Sequence, residues 1–303
     1  EARVIDTVNM GGNIVHVIEG DEPRVGERVE GVIDWDRRLA LMRHHTATHI
    51  VMGAARRVLG KHVWQAGAEK QPSQARLDIT HYQRLKPEEV REIELLANKV
   101  VSENIGVNTF FMGRTEAERR YGTTIYQGGA VPGARLRIVE IPGWDVEACG
   151  GVHCTSTGEV MMIKILRTER IQEGVERLIF ASGLEAVKAV QGLDEVMLEI
   201  EGILGAPREE LVKAARRMRE EFLEARERLK VFRKGYIQYM AEKLAGEAVT
   251  VRGVKAVIFI SEEAPDEDLI AIGERFEGMV KAVSYTHLRA HETRHDLVCR
   301  LLL

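Results

Sequence analysis

Residues 36–60, DRRLALMRHHTATHIVMGAARRVLG, decide the reading of this chain. Leu39, Met42, Ala47, Ile50, Val51, Ala54, Ala55 and Val58 recur at helical spacing, with Asp36 placed as N-cap and Gly60 as the stop. A long helix is predicted. Three histidines fall within it, at 44, 45 and 49, a density that packing alone does not require. His45 and His49 are four apart, so both imidazoles project from one face and can share one metal ion, whereas His44 points elsewhere. A helical histidine pair alone is a weak signal, since solvated or core-capping histidines show the same spacing.

A second stretch bears on that choice. In EACGGVHC, residues 147–154, Cys149 and His153 are separated by three residues that include two glycines, at the end of a predicted strand. The glycines let the backbone turn tightly enough for both side chains to face one point. His45, His49, Cys149 and His153 match the donor types and number of a tetrahedral zinc site. Cys154 is a rival ligand, but it directly follows His153 and is expected on the opposite side. Cys149 and Cys154, five apart in a chain that reads as cytoplasmic, are no disulfide framework, so thiolate chemistry or metal binding is the better explanation.

Outward from these motifs the chain reads as α+β. Residues 1–35 hold three short alternating stretches, ARVIDTV, NIVHVIEG and ERVEGVIDW, between turn-forming segments, and predict a small β-barrel-like module. Residues 36–183 alternate strands with helices. After the long helix come strands at HVWQAGAEK and QARLDITHY, a helix at 87–104, and strands at VNTFFMG, ARLRIVEI, WDVEAC, VMMIKILRTER and VERLIFASG. Residues 184–246 form a predicted helical hairpin or coiled coil, its second helix starting at Pro207. The seam of that second helix runs through Leu211, Met218, Phe222, Ala225, Leu229, Phe232, Tyr236, Tyr239 and Leu244. Residues 207–246 carry eleven Lys or Arg against seven Glu, a basic stretch in a chain of net charge −4. It is read either as a solvated face or as a surface for oligomerisation or RNA. Residues 247–282 begin a truncated α/β unit.

The 303 residues, 45% hydrophobic and 30% charged, suit a globular protein of two or three domains. No run of 18 apolar residues and no leader of targeting type occurs, so the expectation is a cytoplasmic protein without membrane association. The chain starts at Glu1, within what reads as a strand, and is expected to be a fragment lacking its N-terminal part. Residues 283–303, VSYTHLRAHETRHDLVCRLLL, back-translate into a transposon-type sequencing adapter and resemble its translation. His287, His291 and His295 mimic a helical metal site there and are given no role.

HHTATHIVMGAARRVLGKHVWQAG (44–67) together with GWDVEACGGVHCTSTGEV (143–160) resembles the editing domain of alanyl-tRNA synthetases, archaeal type, and the related freestanding editing proteins. The resemblance extends over roughly residues 1–282. The paired motifs are shared with a threonyl-tRNA synthetase editing domain, while VWQAG, YQGGAVPG and RTERIQEGVERL favour the alanyl branch. The resemblance implies zinc-dependent hydrolysis of the ester joining serine or glycine to tRNA(Ala), with zinc on His45, His49, Cys149 and His153. It also implies Thr48 and Gln65 in the amino-acid pocket. Two departures are Val152, where the family usually has Thr, and Ala68, where some members carry a hydroxyl. The alternatives are a freestanding trans-editing protein and a non-catalytic, zinc-stabilised tRNA-binding module. No synthetase core is recognised in this stretch, so ligation itself is not expected of it.

Overall fold

A computed structural model describes residues 1–11, 13–126, 129, 133–261 and 263–280. The chain divides into two compact units, Glu1–Val196 and the residues from Met197 onward. The first unit opens with an antiparallel pair, β1 (Ala2–Met10) and β2 (Asn13–Gly20), exposed along nearly its whole length. The third stretch, ERVEGVIDW, forms no strand. Val29, Val32 and Ile33 stay exposed with no surface to pack on, and the stretch ends in the helix that begins at Trp35. Among the described residues the module is therefore a two-stranded sheet and not a closed barrel.

The long helix is α1 (Trp35–Leu59). Its cap lies two residues before the expected Asp36, because the Asp34 carboxylate accepts from the Arg37 amide at 3.0 Å, leaving Asp36 in the first turn. Gly60 ends it as expected, at φ +115°. α1 lies against a four-stranded antiparallel sheet ordered β3 (Gln65–Lys70), β4 (Ala75–Thr80), β9 (Val175–Ser182), β8 (Ile163–Gln172). β4 presents Leu77 and Ile79 to the core and β9 presents Leu178 and Phe180, as the period-2 pleat requires. With Ile50 and Met52 of α1 and Ile93 of α2 (Pro87–Ser102) they form the main core. Each such side chain contributes roughly 1.5–3 kcal/mol on burial.

A second sheet has the order β5 (Asn108–Gly113), β6 (Arg135–Ile141), β7 (Asp145–Ala148). One face packs Leu136 and Ile138 against Ala117 of α3 (Arg114–Tyr121) and Ile125. α3 has a single buried residue in eight, too little for a helical period to show in the sequence. The opposite face carries Ile141 into the core beneath α1.

The division between the units falls within α4 (Leu184–Leu204). The second unit contains α5 (Leu211–Glu247), a hairpin of β10 (Val249–Val251) and β11 (Val254–Ala256), and α6 (Asp266–Val280). α5 starts four residues after Pro207, a 3-10 turn intervening. Met240, Ala241 and Leu244 of α5 pack on Ile272 and Phe276 of α6. Met218, Phe222, Leu229, Phe232, Tyr236 and Tyr239 of the expected seam are exposed. The adapter-like residues 283–303 lie outside the described residues. Among the described residues no helix is long and apolar enough to cross a membrane.

Candidate metal centre

The site is built where α1 crosses β7, and the crossing is fixed by contacts next to it. Gly53 lets Trp144 lie against the helix, since a Cβ there would come within 2.5 Å of the indole nitrogen. That nitrogen donates to the Ile50 carbonyl at 3.2 Å, and the Arg57 guanidinium stacks 3.8 Å from the Trp144 ring centre. Arg57 also donates to the carbonyls of Gly143 and Trp144, each at 3.0 Å. The start of β7 is thereby fastened to α1, and the alternating residues Asp145, Glu147 and Cys149 lie beneath His45 and His49.

Four donors converge there. Cys149 Sγ lies 3.3 Å from His45 Nε2 and 3.4 Å from His153 Nε2, and the donor atoms of His45, His49, Cys149 and His153 all lie within 4.8 Å of one another. The approach of His45 depends on Gly151, where a Cβ would sit 2.0 Å from the imidazole Cε1. Arg137 Nη1 donates to the carbonyls of Cys149 and Gly151 at 2.8 and 2.7 Å and holds the loop in place. Thr46 completes the frame. Its hydroxyl accepts from the Cys154 amide at 3.0 Å and lies 3.2 Å from His153 Nδ1, which leaves His153 Nε2 for the cluster. Cys154 is buried apart from the four, and burial raises its thiol to about 11.

The electrostatics favour a cation. Burial opposes ionisation of Cys149, but hydrogen bonds from His153, His45 and His49 outweigh it and bring the thiol down to about 2. Burial lowers His45, and lowers His153 to about 4, so both are neutral donors at neutral pH. His49 Nδ1 faces Asp145 Oδ2 at 3.3 Å, and its Nε2 lies 3.3 Å from Glu147 Oε2. Arg56 Nη1 stands 3.6 Å from Asp145 Oδ1. These are ion-pair contacts rather than aligned hydrogen bonds, for both Asp145 oxygens, Glu147 Oε1 and His49 Nδ1 are buried without a hydrogen-bond partner. Burial raises Glu147 to about 8 despite His49 beside it. His49 is itself raised: burial opposes its protonation, but Glu147 and Asp145 prevail.

Three imidazoles and a thiolate form the mixed nitrogen and sulfur set that suits zinc, and the glycine cradle at 151 gives them room to converge. The residues present therefore fit the metal.

The other singled-out residues are placed as follows. His44 faces away and accepts from the Ser182 amide at 3.1 Å. Thr48 is buried, its hydroxyl donating to the His44 carbonyl at 2.7 Å. Gln65 opens β3, Ala68 lies half-buried along it, and Val152 is half exposed in the Cys149–His153 loop. Asp145 and Glu147 were not singled out from the sequence, although period-2 alternation from Cys149 back along WDVEAC marks them.

Residues 136–179, which include β7, Cys149 and His153, match the family model described as the threonyl and alanyl tRNA synthetase second additional domain. An alanine–tRNA ligase of Thermofilum pendens is 45% identical over 99% of this chain, which covers 33% of that relative. The chain is homologous to the alanine–tRNA ligases. Those of Pyrococcus abyssi and Methanopyrus kandleri are 47% and 44% identical over 91% and 93% of the chain, each covered for 30% of its length. The chain thus spans about a third of the curated relatives it matches.

Proposed function

We propose that this chain is the editing part of an alanine–tRNA ligase, in which His45, His49, Cys149 and His153 hold zinc and the site hydrolyses serine or glycine esters of tRNA(Ala). Residues 36–183 are assigned to editing, 184–246 to oligomerisation or tRNA contact, and 247–282 to the start of a C-terminal domain. The need for such an activity is physical. An alanine pocket cannot exclude the smaller glycine, and serine adds only a hydroxyl, so a second, hydrolytic site is required for discrimination. Convergence of the four donors from α1 and the Cys149–His153 loop carries the reading. When bound, zinc would supply a fixed positive charge for orienting or polarising the ester.

The surrounding residues have separable tasks. Arg56 and Asp145 hold His49 from the side away from the cluster, and Thr46 does the same for His153. Glu147 stands 3.3 Å from His49 Nε2, and burial raises its carboxyl above the ordinary carboxylate range. Gln65 and Thr48 are assigned to the amino-acid pocket, Thr48 through shape, since its hydroxyl is engaged by α1 itself.

The test is deacylation of seryl-, glycyl- and alanyl-tRNA(Ala), with zinc content measured on the same samples. Hydrolysis of the first two with sparing of the third, lost together with zinc in Cys149→Ala and retained in Cys154→Ala, is the expected result. Full zinc with no hydrolysis of any ester would support the non-catalytic binding module instead, since four protein donors also close a structural zinc site.

A further inference from the structure

The face of the second sheet that carries Cys149 does not end at the metal cluster. Arg137 stands opposite Phe111 on β5, and on its other side the Arg137 carbonyl accepts from the Cys149 amide at 3.0 Å. Cys149, Arg137 and Phe111 therefore form one row across three neighbouring chain segments, with side chains on the same face. At the Ile141 end this face is buried under α1, whereas at the Arg137 end it opens to solvent. Phe111 is 63% exposed, and the Arg135 guanidinium lies 5.6 Å from its ring centre. Among the described residues, the open part, with Thr109, Phe111, Arg135 and Arg137, carries two guanidinium groups and no carboxylate.

We propose that this ledge seats the single-stranded 3′ end of the RNA whose ester enters the cluster, a terminal base stacking on Phe111 and the adjoining phosphates facing Arg135. The inference rests on the functional reading above and adds to it the surface that holds the nucleotides. Two strand spacings separate Phe111 from Cys149, about 10 Å, which keeps the last nucleotides of a strand on the ledge while its 3′ ester is at the cluster. An exposed aromatic ring flanked by arginine on a sheet face is the chemistry that holds unpaired bases, with stacking on one side and charge on the other. An apolar protein partner would find one ring among charged groups, a poor match for the desolvated centre of a protein interface.

The test uses the full chain and an uncharged RNA hairpin with a single-stranded 3′ extension ending in 2-aminopurine. Stacking on Phe111 quenches the fluorophore, and the titration gives the affinity. Phe111→Ala should bind roughly 5- to 150-fold more weakly, the equivalent of losing one base–aromatic stack, and Phe111→Trp should restore both affinity and quench. Arg135→Ala should weaken binding and flatten its salt dependence. In parallel, Phe111→Ala should raise KM for a seryl ester of the same hairpin while leaving kcat unchanged. Unchanged affinity and quench in Phe111→Ala overturns the ledge, as does a change in association state without a change in RNA binding. A wild-type chain that binds and quenches the hairpin but hydrolyses no ester overturns the functional reading and supports the ledge.

Discussion

Gly53→Ala should destabilise the first unit and, in the absence of Trp144, stabilise it. A methyl at position 53 would stand 2.5 Å from the Trp144 indole nitrogen and 2.9 Å from Cε2, so the ring must shift. Overpacking of this kind costs about 1–3 kcal/mol, and the shift also strains the 3.2 Å hydrogen bond to Ile50, worth roughly 1 kcal/mol. Against this, alanine gains about 1 kcal/mol over glycine in a helix interior. The net expectation is a loss of roughly 1–3 kcal/mol. In a Trp144→Ala background the obstruction is gone and only the helix term survives, so Gly53→Ala should then stabilise by up to about 1 kcal/mol. All three tryptophans, Trp35, Trp64 and Trp144, lie in the first unit, so urea unfolding followed by tryptophan fluorescence reports on that unit, and two remain in the mutant background. Equal destabilisation in both backgrounds would refute the claim that the glycine exists to admit the indole.

Gly151→Ala should lower zinc affinity at least tenfold with little loss of secondary structure, because its Cβ would displace the His45 ring from the cluster. Competition with a chelator, and the visible spectrum of the cobalt form, measure this, and unchanged affinity would remove Gly151 from the cradle. A separate pH effect is expected at His81, whose ring lies 2.9 Å from His62 Nε2 through Nδ1. Burial, then the neighbouring His62, lower its pKa below 6.5, while Glu89 and Glu176 partly offset them. The unfolded state therefore binds more protons below that value, so stability present at pH 7 should be lost as pH falls through about 6.5. His81→Gln should flatten that part of the stability profile, as read by urea midpoints at pH 7 and pH 5, and an unaltered slope would dismiss the pair.

Much of the first unit was legible because its signals are local and strong. α1 announces itself through 25 residues of helical spacing, and Ala75, Leu77 and Ile79 of β4 alternate with polar residues, while β9 is a short, largely apolar run from Leu178 to Ala181. The errors arose where tertiary context outweighs local pattern. ERVEGVIDW alternates like a strand, but its valines find no partner surface and remain in solvent. α3 owes its helical form to a single buried alanine and to the sheet it covers. The N-cap moved to Asp34 because either aspartate can cap, and only the geometry shows which carboxylate reaches Arg37.

At the site, spacing singled out the residues that approach one another, but not those that hold them. His45 and His49 are paired by the helical repeat, and Cys149 and His153 by a short loop, so both pairs can be read along the chain. Asp145 and Glu147 reach His49 from a different element, more than ninety residues away, and nothing near His49 indicates carboxylates beneath it. The same holds for Thr46, whose hydroxyl ties α1 to His153 and Cys154. Yet the two stretches that carry the donors also carry the fastening. HHTATHIVMGAARR supplies Thr46, Gly53 and Arg57, and GWDVEACGG supplies Trp144, Asp145 and Glu147. A donor cluster at a helix–strand crossing is only as well placed as the crossing, and here Gly53 and Arg57 follow His49 by about one and two helical turns. Loosening Trp144 should therefore weaken metal binding as well as stability, although Trp144 is not itself one of the four donors.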